Sequence, residues 1–267
     1  KVGFRKMLSQ AGERTLICAL LPRKSAHIHG VISVAFRNGD YSVDMTAMCS
    51  SIVMDFYMKT VGASNLQSSR MDSFPLVVED KYRKALHTRT LRLNCVTNRY
   101  ADLWSEIWDA SYKQEQWSIK DKRLAPWGTL TEEWNHDTPL RNYFERRQAL
   151  VEIDVLAAMA LGLTLDELIM MYEIQFPVLQ QNENDTWYDR NGRIVFTCSK
   201  ELIGVGVDRP TWNRIREMHP GETYTHTLTS ELYAGQTITY DAPFTCCDRI
   251  ADYRTAWAHF ERRYNQK

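Results

Sequence analysis

No apolar run in this chain comes near the roughly eighteen residues that a membrane-spanning helix needs. The opening KVGFRKMLSQAGERT has no apolar core of the kind a signal peptide carries, so neither a span nor export is expected. An initiator Met is also missing, which suggests a piece of a longer protein. The six cysteines, at 18, 49, 95, 198, 246 and 247, form no C-x-x-C pair. In a chain of 267 residues they read as reduced, mostly buried thiols, and a cytoplasmic protein is expected.

Catalytic motifs are equally scarce. There is no P-loop, no G-x-S-x-G and no H-E-x-x-H. No two of the eight prolines are adjacent, which excludes the Asn/Asp-Pro-Pro-Tyr signature of amino-methyltransferases. Leu202 to Pro210 (LIGVGVDRP) holds a G-x-G after an apolar run, but the third glycine is missing and Pro210 stands where a phosphate-binding helix should begin. The chain therefore shows no complete catalytic constellation.

What is present is an ordinary globular composition, 44% hydrophobic and 25% charged, enough for a sizeable core. The net charge of zero conceals an asymmetry: residues 1–147 hold 22 Lys+Arg against 16 Asp+Glu, and residues 148–267 hold 11 against 17. A polyanionic partner would meet the first half. Thr15–Leu21 and Gly30–Phe36 are short runs of β-formers and read as strands. A helix is expected from about Val43 to Thr60, with N-cap candidates at Asp40 to Ser42, ended by Gly62. Residues 80–147 are helical in pattern, with Trp104, Trp108 and Tyr112 spaced as one buried helix stripe. Arg141–Leu161 reads as a long helix, followed after LGLT by a second one capped by Thr164. That outline invites a helix-turn-helix reading, but Asp166 and Glu167 open the second helix and would repel a DNA backbone, so a packed helical hairpin is expected. Asn191-Gly192 between TWY and RIVF marks a tight β-hairpin, and a closing helix falls near Arg249 to Arg263. The sum is an α+β fold with two lobes and a helical middle, divided as an α/β segment 1–80, a helical aromatic-rich segment 81–175 and an α+β segment 176–267.

His27 and His29 are the one metal candidate, because i and i+2 on a strand share a face. A metal-dependent hydrolase built on them is one alternative function. A protein-docking module of a defence complex, using the Trp-rich middle or the acidic second half, is another.

Three pieces, in this order, resemble the C-terminal region of large restriction-modification adenine-specific DNA methyltransferases, including the single-chain type IIG kind and the methylases of phage-defence islands. The first is GERTLICALLPRKSAHIHGVISVAF, similar to the strand that opens their target-recognition part. The second is Met48 to Val78, where Ser50-Ser51, Phe56-Tyr57 and Phe74-Pro75-Leu76 look like that family's Leu-Asn-Ser helix and terminal Leu-Pro-Ile/Leu, with Ser50 where the family often has Asn. The third, Ala149 to Thr197, is similar to an accessory region of the larger members. The resemblance implies recognition without chemistry: double-stranded DNA as partner, no cofactor in this chain, and S-adenosylmethionine held by an upstream methyltransferase domain. It also gives a use to the polar ribbon that follows the expected helix over 43–60. Ser64, Asn65, Gln67, Ser68 and Arg70 are donor-rich side chains able to meet phosphates or base edges, with Lys59 anchoring the helix end and Arg23 and Lys24 adding charge from the preceding turn.

Overall fold

The computed structural model describes residues 1–76, 80–198 and 205–265. Its first layer is a three-stranded antiparallel sheet with β1 (Val2–Arg5) between β2 (Cys18–Leu20) and β3 (Val31–Val34). The two expected strands are its edges. The central strand was not expected, because four residues are too few to show a period. Val2 and Phe4 are nevertheless fully buried, and a Cβ on Gly3 would stand 2.8 Å from the Leu21 side chain, which would have to shift to admit a larger residue there. Since β2 and β3 both run antiparallel to β1, the loop between them crosses from the Lys1 end of the sheet to the Lys6 end.

The helix expected over 43–60 is two helices, α1 (Gly39–Ser50) and α2 (Ile52–Val61), broken at Ser51, whose ψ of 152° is extended. A mid-helix break exposes backbone groups that must find other partners. Here the Ser51 hydroxyl, which donates to Met48 O (2.6 Å) and accepts from Met54 N (3.4 Å), and charged side chains supply them. Asp154 Oδ1 accepts from Ile52 N at 2.8 Å, and Arg14 Nη2 donates to the carbonyls of Ser50 (2.8 Å) and Ser51 (3.1 Å). The first cap is Asn38 rather than Asp40 to Ser42, while Gly62 closes α2 in the left-handed region as expected.

The chain continues through α3 (Ser68–Met71), α4 (Asp80–Asn94), α5 (Ala101–Ile107), α6 (Tyr143–Ala160), α7 (Leu165–Gln175) and α8 (Pro177–Asn184). It ends in β4 (Trp187–Tyr188), β5 (Ile194–Phe196), α9 (Arg209–Ile215), β6 (Thr223–Thr227), β7 (Thr237–Asp241), β8 (Thr245–Cys246) and α10 (Arg249–Asn265). This is an α+β architecture of helices with, among the described residues, three small antiparallel sheets, ordered β2-β1-β3, β5-β4-β8 and β6-β7. Capping boxes at Asn142/Glu145 and Thr164/Glu167 fix the starts of α6 and α7, and these two helices pack as the expected hairpin.

α6 is the central post, packed against α1, α2, α4, α7 and α10. One hydrophobic core gathers residues from Ala47 to Phe260 and a second from Val2 to Ala157, so boundaries near 80 and 175 do not separate cores. A smaller third core, from Val195 to Phe244, belongs to the last segment alone. The aromatic stripe also differs from expectation. α5 stops at Ile107, Trp108 turns the chain, and Tyr112 lies in a 3₁₀ turn; no helix occurs between residues 115 and 142. The three rings still cluster, with Trp104 5.5 Å from Trp108 and Trp108 5.7 Å from Tyr112. Trp104 is buried but Trp108 only half so. Among the described residues no helix is long and apolar enough to cross a membrane.

Candidate nucleic-acid interface

The polar ribbon is clamped rather than loose. Its backbone pairs with the extension of β1: Leu8 N donates to Ser64 O (2.9 Å), Leu66 N to Lys6 O (2.8 Å), and Met7 bridges Asn65. Gln10 adds a side-chain bond to Ala63 O. Leu66, Met71 and Phe74 are buried, so three apolar plugs hold the segment down while the residues between them point outward. Ser64, Asn65, Gln67 and Ser68 are exposed and Arg70 is half-buried. Gln67 and Arg70 have no side-chain hydrogen-bond partner among the described residues, which leaves an amide and a guanidinium displayed from a fixed backbone.

β1 brings a second group to this edge. Lys6 N donates to Gly30 O at 3.0 Å and its amine bonds His29 Nε2, so the turn before β3 and the ribbon meet at Lys6. Two large apolar side chains stand on the same extension and turn, Met7 at 71% and Ile28 at 84% exposure. Neither was singled out from the sequence, although an apolar residue in an otherwise polar turn is a readable signal.

Three of the sequence-predicted residues belong elsewhere. Lys59 is only 7% exposed; its amine donates to the carbonyls of Gln10 (3.2 Å) and Gly12 (3.1 Å) and lies over the Phe176 ring. It anchors the N-terminal loop and is withdrawn from any DNA surface, because a carbonyl-bound, buried ammonium cannot also reach a phosphate. Arg23 and Lys24 sit at the Lys1 end of the sheet, about 13 Å of strand away from the ribbon. Arg23 is moreover paired with Glu106 at 2.6 Å, and Lys24 occupies the left-handed turn position with φ 62°.

The two imidazoles do not converge on a shared point. His27 and His29 lie in the loop before β3, not on the strand, and diverge: His27 Nε2 bonds Ser33 Oγ at 2.8 Å while His29 Nε2 bonds Lys6. Among the described residues no group of three or more His, Cys, Asp or Glu is placed to hold an ion. Burial raises the Cys18 and Cys247 thiols to about 11 and that of Cys95 to about 12, which makes these three poor nucleophiles. Of the Leu202–Pro210 stretch, residues 202–204 lie outside the described residues; α9 opens within it at Arg209, capped by Asp208 with Pro210 in its first turn.

Sequence reading missed a buried ionic seam that joins α2, α6, α8 and α10. Asp154, fully buried on α6, accepts from Ile52 N, from Tyr253 Oη (2.7 Å) and from Arg249 Nη1 (2.7 Å). Arg249 also grips Glu183 (2.7 and 3.0 Å), which in turn holds Arg147 (2.8 Å), and Arg147 ends on Asp252 (2.6 Å). On the sheet side Arg14 pairs with Asp55 (2.6 Å), whose other oxygen takes the N–H groups of Thr15 and Leu16. Burial would raise the Glu183 carboxyl, but the two guanidiniums outweigh it and hold it at about 2. Asp154 meets one guanidinium in full enclosure, so burial prevails there and pushes its carboxyl up. Every charge in this seam has a partner, and its geometry fixes the helix break rather than opening a reaction site.

No protein-family model, no curated protein and no solved structure matches this chain.

Proposed function

We propose that this chain is a noncatalytic DNA-recognition and scaffold unit of an adenine-specific DNA methyltransferase of a restriction-modification or phage-defence system. In this reading it works in the cytoplasm, and S-adenosylmethionine and the target adenine belong to an upstream domain. The reading rests on the three-piece resemblance. The observation that carries it is the clamped ribbon: Asn65, Gln67 and Arg70 project from a backbone held by β1, close to Lys6, Met7 and Ile28. An amide and a guanidinium on a rigid backbone suit base edges and phosphates, because little side-chain freedom is lost on binding. Exposed apolar residues beside them suit thymine methyls or a wedge between base steps.

The test is fluorescence anisotropy with labelled duplex DNA over a salt series. If two phosphates are contacted, affinity should fall about tenfold between about 50 and 200 mM salt. The Asn65→Ala, Gln67→Ala, Arg70→Ala variant should bind more weakly and show a shallower salt slope. Salt-independent binding, or wild-type binding by the triple variant, rejects the reading.

A further inference from the structure

The β6–β7 hairpin is a two-stranded sheet whose outer edges both lack a pairing strand, and the edge of β7 faces a cleft. Tyr224 faces Tyr240 and His226 faces Ile238, and the same alternation continues outward as Ala242 N donates to Glu222 O (3.0 Å) and Leu228 N to Gln236 O (2.8 Å). In an antiparallel pair such hydrogen-bonded positions alternate with positions whose backbone groups point away from the partner strand. Thr237, Thr239 and Asp241 therefore turn their N–H and C=O groups outward. At Asp241 that edge is covered: its carbonyl accepts from Arg190 N (3.0 Å) and its N–H donates to Asp189 Oδ2 (3.4 Å). At Thr239 only the carbonyl is covered, by Arg193 Nη1 at 2.9 Å. The N–H of Thr239 and both backbone groups of Thr237 have no partner among the described residues.

This uncovered edge borders a cleft of about 690 Å³ walled by the β4–β5 turn and the start of α6. Arg141 and Arg193 line it, and both bond backbone carbonyls: Arg141 those of His136 and Val96, Arg193 that of Thr239. Neither guanidinium has a carboxylate within ion-pair distance among the described residues, in contrast to the arginines of the buried seam. Tyr143, 43% exposed, and Ile194 give the cleft an apolar side.

We propose that this cleft receives an extended acidic peptide of a partner protein, which adds as a strand to the outer edge of β7. A free N–H, a free C=O and a second free N–H in succession match another polypeptide backbone, and main-chain pairing at an exposed edge is an established recognition mode. A phosphate accepts only; it would satisfy the two donors and face the Thr237 carbonyl unfavourably, which argues against nucleic acid. The two unneutralised guanidiniums select carboxylate side chains on the incoming strand. This surface joins residues of both halves of the chain, Arg141 from the first and Arg193 and Thr237 from the second, and stands independently of the DNA reading.

The test titrates the full chain with three capped hexapeptides and follows backbone amide shifts and hydrogen exchange by NMR. The first is Val-Asp-Val-Glu-Val-Thr, the second has Lys for Asp and Glu, and the third is N-methylated at the residues that would pair with Thr237 and Thr239. The acidic peptide should slow exchange at the Thr237 and Thr239 amides, the lysine peptide should bind at least about tenfold more weakly, and the N-methylated peptide should give no protection. Thr239→Pro, which removes an outward donor and the hydroxyl contact to Thr225 but no backbone bond of the hairpin, should abolish peptide binding while the Tyr240 and Ile238 amides stay protected. The proposal is overturned by absent protection at about millimolar acidic peptide, by equal binding of the lysine or N-methylated peptide, or by inorganic phosphate or duplex DNA protecting the same two amides. The three peptides test the wild-type chain directly, so the proposal stays falsifiable even where Thr239→Pro fails to fold.

Discussion

The seam inside this molecule and the edges at its surface use the same residue types to opposite ends. In the seam, Arg249, Arg147 and Arg14 each meet carboxylates at 2.6 to 2.8 Å, and the helix break at Ser51 is satisfied by Asp154 and Arg14. At the ribbon and along β7, Arg70 has no side-chain partner among the described residues, and Arg141 and Arg193 bond carbonyls alone. Formal charge therefore says little about where binding occurs. What separates the two regions is compensation: an arginine with its carboxylate in place is architecture, while one fixed in position without a carboxylate retains an interaction to offer.

The strongest way to break this contrast is at Arg249. Arg249→Met leaves Asp154 and Glu183 enclosed without their shared cation, and removing one partner of a buried pair typically costs about 3–5 kcal/mol. Urea denaturation should show that loss. A change below about 1 kcal/mol would mean that the seam relaxes into solvent and is not architectural.

A pH experiment sharpens the same point at Glu183. Its carboxyl is held at about 2 in the folded chain against an ordinary 4.5, so it contributes stability that is fully present above the ordinary value and is lost as pH falls toward 2. Asp154 is shifted the other way and contributes with the opposite sign, favouring the folded chain at low pH. Glu183→Gln separates the two. Its deficit relative to wild type should be about 2–3 kcal/mol near neutrality and should shrink steadily between pH 4.5 and 2, as followed by thermal melts. A deficit that does not change across that window would locate the acid sensitivity elsewhere.

These expectations draw on features that local sequence shows unevenly. The capped starts at Thr164, the Gly62 stop, the Asn191-Gly192 hairpin and the closing helix are local signals, and each is present in the structure. The break at Ser51 is only partly local. Its apolar pattern runs through without interruption; the Ser51 hydroxyl caps α2 by accepting from Met54 N and donating to Met48 O, and Asp154, over a hundred positions later, and Arg14 take the groups that it leaves. Strand β1 is hidden for a related reason, since its four residues acquire meaning only from neighbours on both sides. In the candidate interface, the ribbon was legible as a run of donor-rich side chains closed by Phe74, while the buried plugs Leu66 and Met71 between them are seen only in the structure. Which cation faces outward was not. Lys59 and Arg70 look alike in sequence, and only the loop carbonyls of Gln10 and Gly12 distinguish them.

Lys59 is the next test in order of size. Lys59→Met keeps most of the stem's packing but leaves the Gln10 and Gly12 carbonyls without their donor, a loss of about 1–3 kcal/mol in denaturant melts. Its duplex affinity at a temperature where the chain stays folded should equal that of wild type. A drop in affinity without a drop in stability would return Lys59 to the binding surface.

The smallest effect on stability should come from the ribbon itself, and that smallness is informative. Asn65, Gln67 and Arg70 contribute no side-chain bond beyond the long 3.4 Å contact from Asn65 to Ser64, and the backbone pairing that holds the segment runs through Ser64 O, Leu66 N and Met7. Replacing the three side chains with Ala leaves those bonds and the Leu66 plug in place, so the stability change should stay within about 0.5 kcal/mol. Leu66→Ala is the complementary change: it keeps every polar side chain and removes the plug, at a cost of about 2–5 kcal/mol. If the ribbon recognises DNA because its backbone is fixed, both variants should bind more weakly, the triple one by loss of contacts and Leu66→Ala by loss of order, with faster amide exchange at Leu8 and at position 66, the two amides that clamp the ribbon, in the second alone. Should Leu66→Ala loosen those amides yet bind duplex as wild type does, rigidity is irrelevant to recognition there, and only the chemistry of the side chains counts.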